Sequence, residues 1–83
     1  MSKVDGILQR RQAEYGSAAE NLEKIGRVWG ALLDREPIPA YQVALLMDAL
    51  KTVRLFRNSE HEDSWLDKQG YTAHGYQIAT HES

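Results

Sequence analysis

Ala40-Tyr41-Gln42-Val43-Ala44-Leu45-Leu46-Met47-Asp48-Ala49-Leu50-Lys51-Thr52-Val53-Arg54-Leu55-Phe56-Arg57 is the most apolar segment of the chain. Val43, Leu46, Met47, Leu50 and Leu55 fall on one broad face at helical period, and Ala44, Leu45 and Val53 widen it. A face this wide predicts a central helix over about 40–57. Pro37-Ile38-Pro39 punctuates it on one side and Asn58-Ser59 on the other.

Working outward, the segment before the prolines carries Leu22, Ile25, Trp29, Leu32 and Leu33 at three- and four-residue steps. This predicts an amphipathic helix over about 18–34. Ser17 with Glu20 reads as the capping box that opens it, and Gly16 as the left-handed C-cap of an earlier helix over about 4–15. Beyond Asn58-Ser59, a second box of Ser59 and Glu62 predicts a helix over about 60–79, with Trp65, Leu66, Tyr71, Ala73 and Ile78 as its apolar positions. Trp29 and Trp65 read as core or interface anchors. No run alternates in the manner of a strand. The expectation is an all-α fold, a four-helix bundle forming one domain over 1–83.

Eighty-three residues, 42% of them hydrophobic, can fold but make a core of marginal size. Completion by oligomerisation is therefore expected, as a homodimer or homotetramer. Ten basic and twelve acidic residues are interspersed, giving a net charge of −2, so nucleic acid is not an expected partner. The absence of cysteine excludes disulfides, thiolate metal sites and a cysteine nucleophile. The apolar runs are too short for a bilayer and the first residues lack a signal-peptide core, so a cytoplasmic protein without a membrane partner is expected.

The residues with the richest chemistry lie where the third helix meets the fourth. Asp63 and Asp67 stand one turn apart and present two hard oxygen ligands on one face, an arrangement that suits magnesium. Asp63 also favours the positive end of the helix dipole without any ligand. Lys51, Arg54 and Arg57 form a basic stripe that suits phosphate oxygens. The same stripe suits an internal ion-pair network with Asp63 and Asp67. Glu20 and Glu23 offer a weaker second acidic pair. His61, His74 and His81 show no metal-ligand spacing beyond the two turns between the last two, and no hydrolase or nucleotide-loop motif occurs.

Taken as a set, Tyr15-Gly16, Glu20-Asn21, Trp29, Val43, Met47, Leu50-Lys51, Arg54-Leu55, His61, Asp63-Ser64, Asp67 and Gly70-Tyr71 resemble a family of small phage and prophage proteins of unknown function. That family resembles in turn the MazG-like all-α nucleotide pyrophosphohydrolases. The resemblance spans roughly residues 11–75. It implies an oligomeric helical bundle in a bacterial host's cytoplasm, in which acids on two helices hold magnesium against a nucleoside triphosphate. Carried over residue by residue, Asp63 and Asp67 match the acidic motif of the last helix and would be catalytic. Lys51 and Arg54 match the basic pair that binds phosphate. Glu20 and Asn21 match the opening motif, which adds Glu20 to the metal set and leaves Asn21, His61 and Tyr71 as further candidates.

Two departures accompany the match. The family's Glu-Glu-x-x-Glu cluster is missing, and Asp48 is the one acid of the 40–57 segment. Ser64 precedes Asp67 where the family has Glu, while Glu60-x-x-Asp63 supplies that spacing one turn earlier. Losing metal ligands is expected to remove most of the rate in this class. The expected function is a divergent nucleoside triphosphate pyrophosphohydrolase or nucleotide-binding protein. The alternative is an inactive helical interaction module, a phage effector that binds a host protein.

Overall fold

The computed structural model describes residues 15–81. Helices α1 (Tyr15–Leu32), α2 (Ala40–Arg57) and α3 (Glu62–His81) account for most of them, and no strand occurs among the described residues. The first expected helix, but for Tyr15, lies outside them.

Helix α1 runs through Gly16 and Ser17, so neither the glycine C-cap nor the Ser17–Glu20 capping box forms where it was expected. An interior glycine disfavours helix by only about 1 kcal/mol relative to alanine. That is too little to stop a helix whose next turn contains Ala18, Ala19 and Leu22. At its other end α1 closes with a Schellman motif two residues earlier than the apolar spacing predicts. Asp34 takes the left-handed conformation at φ 56°, its N–H donates to Ala31 O at 3.3 Å, and Arg35 N–H donates to Gly30 O at 2.9 Å.

The chain then doubles back along α1. Ile38 N–H donates to Gly26 O at 3.1 Å, which lays the loop directly on the helix surface. A Cβ at Gly26 would stand 2.0 Å from Ile38 O, so only glycine permits this approach. The return delivers Pro39, whose carbonyl opens α2 by accepting the N–H groups of Gln42 and Val43.

Helix α2 is central, as its broad apolar face predicts: it packs along α3 and touches α1 on another side. The core is small. Leu22, Ile38, Val43, Ala44 and Ile78 form it, with Ile25, Trp29, Tyr41, Met47 and Tyr71 partly buried around them. Leu55 is buried further along α2. Where α2 and α3 cross, a Cβ at Gly75 would meet Ala44 Cβ at 3.2 Å, so the small residue sets the separation of the two helices.

Several expected core residues are not core. Leu32 and Leu33 lie largely in solvent, and Leu46, Leu50 and Trp65 are about half exposed. The reason for α2 is geometric: α1 and α3 cover less than its full apolar arc.

Candidate functional site at the helix junction

The turn joining α2 to α3 is fixed by polar bonds from its own residues. Asn58 N–H donates to Arg54 O at 2.9 Å, and Asn58 Oδ1 accepts from Glu60 N–H at 3.2 Å, an Asx-turn. Trp65 Nε1–H reaches back to Ser59 O at 2.9 Å. The cap of α3 is His61 rather than Ser59. Its Nδ1 accepts the Ser64 N–H at 3.2 Å and lies 2.8 Å from Ser64 Oγ. With Nδ1 accepting, the ring proton is assigned to Nε2. The imidazole thus does what a Ser or Asp cap does, and Ser64 is completely buried beneath it.

Arg54, Asn58, His61 and Ser64 line a solvent-open pocket of about 260 Å³ at this turn. Arg54 has no ion-pair partner among the described residues, and its side chain is exposed. The pocket therefore combines a fork-shaped cation, an amide and the N-terminal turn of a 20-residue helix. The Ser64 N–H is already taken by His61, and Glu62 and Asp63 stand in the same first turn, so Arg54 and the Asn58 amide are the groups that can meet an anion.

One turn deeper, the acids are already engaged. Lys51 Nζ and Asp67 Oδ2 pair at 3.1 Å, the lysine side chain only 12% exposed and the aspartate 41%. Asp48 faces α3 as well. It pairs with Lys68 and accepts from the Thr72 hydroxyl, while Lys68 also donates to Thr52 Oγ1 at 3.0 Å. Burial raises the Asp48 pKa, but the hydrogen bonds from Lys68 and Thr72 and the Lys68 charge outweigh it, so the carboxyl sits below its ordinary value. Sequence reasoning missed this network. Its signal was present: Asp48/Thr52 and Lys68/Thr72 are i, i+4 polar pairs placed on two adjoining helices.

Of the residues singled out by sequence, the fold joins Lys51 to Asp67 and gathers Arg54 with His61. Asp63 is exposed in the first turn of α3, and Tyr71 is half-buried against the core. Glu20 and Asn21 are exposed on α1, with no ion pair or hydrogen bond to the junction among the described residues. Glu23, the other member of the weaker acidic pair, is bonded to Arg27 on the same helix. No three of the described acids and histidines gather as a metal-binding group. Lys51 already pairs with one oxygen of Asp67, Oδ2.

On the other side of the turn, Thr52, Leu55, Phe56, Ser59, Trp65 and Lys68 border a mostly apolar groove of about 320 Å³. No described helix is long and apolar enough to cross a membrane.

Residues 2–79 match a domain of unknown function, DUF6378. The chain belongs to the DUF6378 family. It is also similar to the Gene 55 protein of Mycobacterium phage L5, at 37% identity over 62 residues. That stretch is 75% of this chain and 40% of the phage protein, so this DUF6378 chain spans well under half of its relative. The relationship supports the expected phage family of unknown function. Neither match carries the further relation to MazG-like enzymes. No solved structure matches the chain.

Proposed function

We propose that this DUF6378 protein binds the phosphate end of a nucleotide at the α2–α3 junction and does not hydrolyse it. The observation that carries the reading is the open pocket in which Arg54, without an acidic partner among the described residues, faces the capped N-terminus of α3. At about 260 Å³ the pocket is smaller than the roughly 300–1,000 Å³ of sites that enclose a drug-sized ligand. It suits phosphate groups, with the sugar and base outside. Arg54 would fork onto phosphate oxygens, and the Asn58 amide would orient them.

The hydrolytic variant requires more. Magnesium on Asp63 and Asp67 would have to share Asp67 with Lys51, and Glu20 would have to join from α1.

The test is calorimetric titration with non-hydrolysable nucleoside triphosphates, beside a pyrophosphate-release assay in magnesium. The expectation is binding without release, with Arg54→Gln weakening affinity about 10- to 100-fold, the equivalent of about 1.5–3 kcal/mol for a charge-assisted bond. Absence of binding, or unchanged affinity in Arg54→Gln, defeats the reading. Pyrophosphate release that Asp67→Asn abolishes would restore the enzyme.

A second reading, the non-catalytic interaction module, draws on a separate observation: the apolar side chains that α2 leaves in solvent.

A further inference from the structure

Helix α2 has two faces. Towards α3 it presents Ala44, Asp48, Lys51 and Leu55, the charged pair tied to Lys68 and Asp67. On the opposite arc, Leu45, Leu46, Ala49, Leu50, Val53 and Phe56 follow one another at helical spacing. The five large ones are 55%, 48%, 46%, 63% and 89% exposed. Among residues 40–56, the charges Asp48 and Lys51 point into the α3 interface, and Arg54 lines the junction pocket. From Leu45 to Phe56 the outer arc is therefore uncharged over about three turns, and Arg57, one turn past Val53, marks its end. An uncovered apolar arc of this extent marks an association surface.

We propose that this arc is the interface through which two copies of the chain pair, α2 against α2 about a two-fold axis. Two features select a second copy as the occupant. Between Leu45 and Phe56 the arc offers no charge for a charged partner to neutralise, whereas an identical apolar surface complements it directly, as isologous pairing requires. The area is also of the right order. The five exposed side chains present on the order of 500 Å² per protomer, so their full burial on pairing would reach about the 1,000 Å² in total that a specific interface must clear. Ala49, small and central to the arc, lets the two helices approach closely, with Leu46, Leu50 and Val53 interleaving around it. Arg54, one turn past Leu50, borders the arc, and its pocket opens at the α2–α3 turn.

The experiment is light scattering on the full chain over two decades of concentration, with the wild type, Leu46→Glu, Leu50→Glu and, as a control on α3, Tyr76→Glu. The wild type and Tyr76→Glu are expected at twice the 9.4 kDa chain mass, and the two α2 variants at the monomer mass with helical circular dichroism retained. Because the chain has no cysteine, Leu50→Cys and Tyr76→Cys give a second readout that does not depend on a disruptive charge. Oxidation is expected to link Leu50→Cys into covalent dimers and to leave Tyr76→Cys unlinked. A wild type that is monomeric throughout, as it would be if residues 1–14 of the same chain covered the arc, overturns the proposal. So does an oligomer that survives both glutamates, or one in which Tyr76→Cys links and Leu50→Cys does not.

Discussion

Asp34 holds a position where the backbone asks for glycine. Its φ of 56° satisfies the Schellman geometry that ends α1, and an exposed aspartate occupies it at a steric disadvantage relative to glycine. Asp34→Gly is expected to stabilise the protein by about 0.5–1 kcal/mol, after the added freedom of the unfolded chain is subtracted. That is a rise in Tm of a few degrees, and a thermal melt showing a fall instead would refute the assignment. Asp48 makes the opposite case, a side chain that its surroundings require ionised. Its folded pKa lies below the ordinary 3.8, so its contribution is complete above that value and is lost as pH falls through the lower folded one. Urea denaturation across that acid range is expected to show wild-type stability declining, and Asp48→Asn, less stable at pH 7, declining less. Parallel profiles would mean that the carboxylate charge is not what holds Lys68 and Thr72.

At the scale of elements, two glycines separate two kinds of close packing. Gly26 meets backbone: its Cβ would lie 2.0 Å from Ile38 O, and relieving that contact breaks the 3.1 Å bond that returns the loop to α1. Gly26→Ala is expected to destabilise by more than about 2 kcal/mol, because the lost bond and displaced loop exceed the roughly 1 kcal/mol gained in helix propensity. Gly75 meets a methyl group at 3.2 Å, which a few tenths of an ångström of movement relieves. Gly75→Ala is expected within about 1 kcal/mol of wild type, with the propensity gain and the contact nearly cancelling. Guanidinium melts of the pair test the order, and equal losses would contradict it. The same elements show what the sequence made legible. The bounds of α2 were readable because prolines and a polar turn bracket a long apolar period. The Gly16 break was not real, since one glycine cannot override a favourable helical context. The His61 cap escaped notice because an imidazole is an uncommon cap, while Ser59 had the usual chemistry in the wrong register. Lys51 and Asp67 were read as one group and do meet, but spacing along one chain could not choose a pair over a metal site. Likewise, periodicity identified the apolar residues of α2 without saying which neighbour covers each.

For the whole molecule, that last point becomes a statement about stability. Six apolar side chains are buried among the described residues, a small core for a chain of 83. Leu45, Leu46, Leu50, Val53 and Phe56 remain outside it. If pairing removes them from water, folding and association are one equilibrium, and protein concentration enters the free energy of unfolding directly. Each tenfold increase in concentration then adds about 1.4 kcal/mol per dimer, which raises Tm by a few degrees in a domain of this size. The wild type is expected to show that dependence, and Leu50→Glu to melt at a lower temperature that does not vary with concentration. Nucleotide at the Arg54 pocket is expected to raise Tm in both, by an amount set by its concentration relative to Kd, since the pocket opens at the α2–α3 turn. A concentration-independent wild-type melt would leave the α2 arc as solvent-facing surface. A nucleotide shift present in the wild type and absent from Leu50→Glu would show instead that pairing completes the phosphate site.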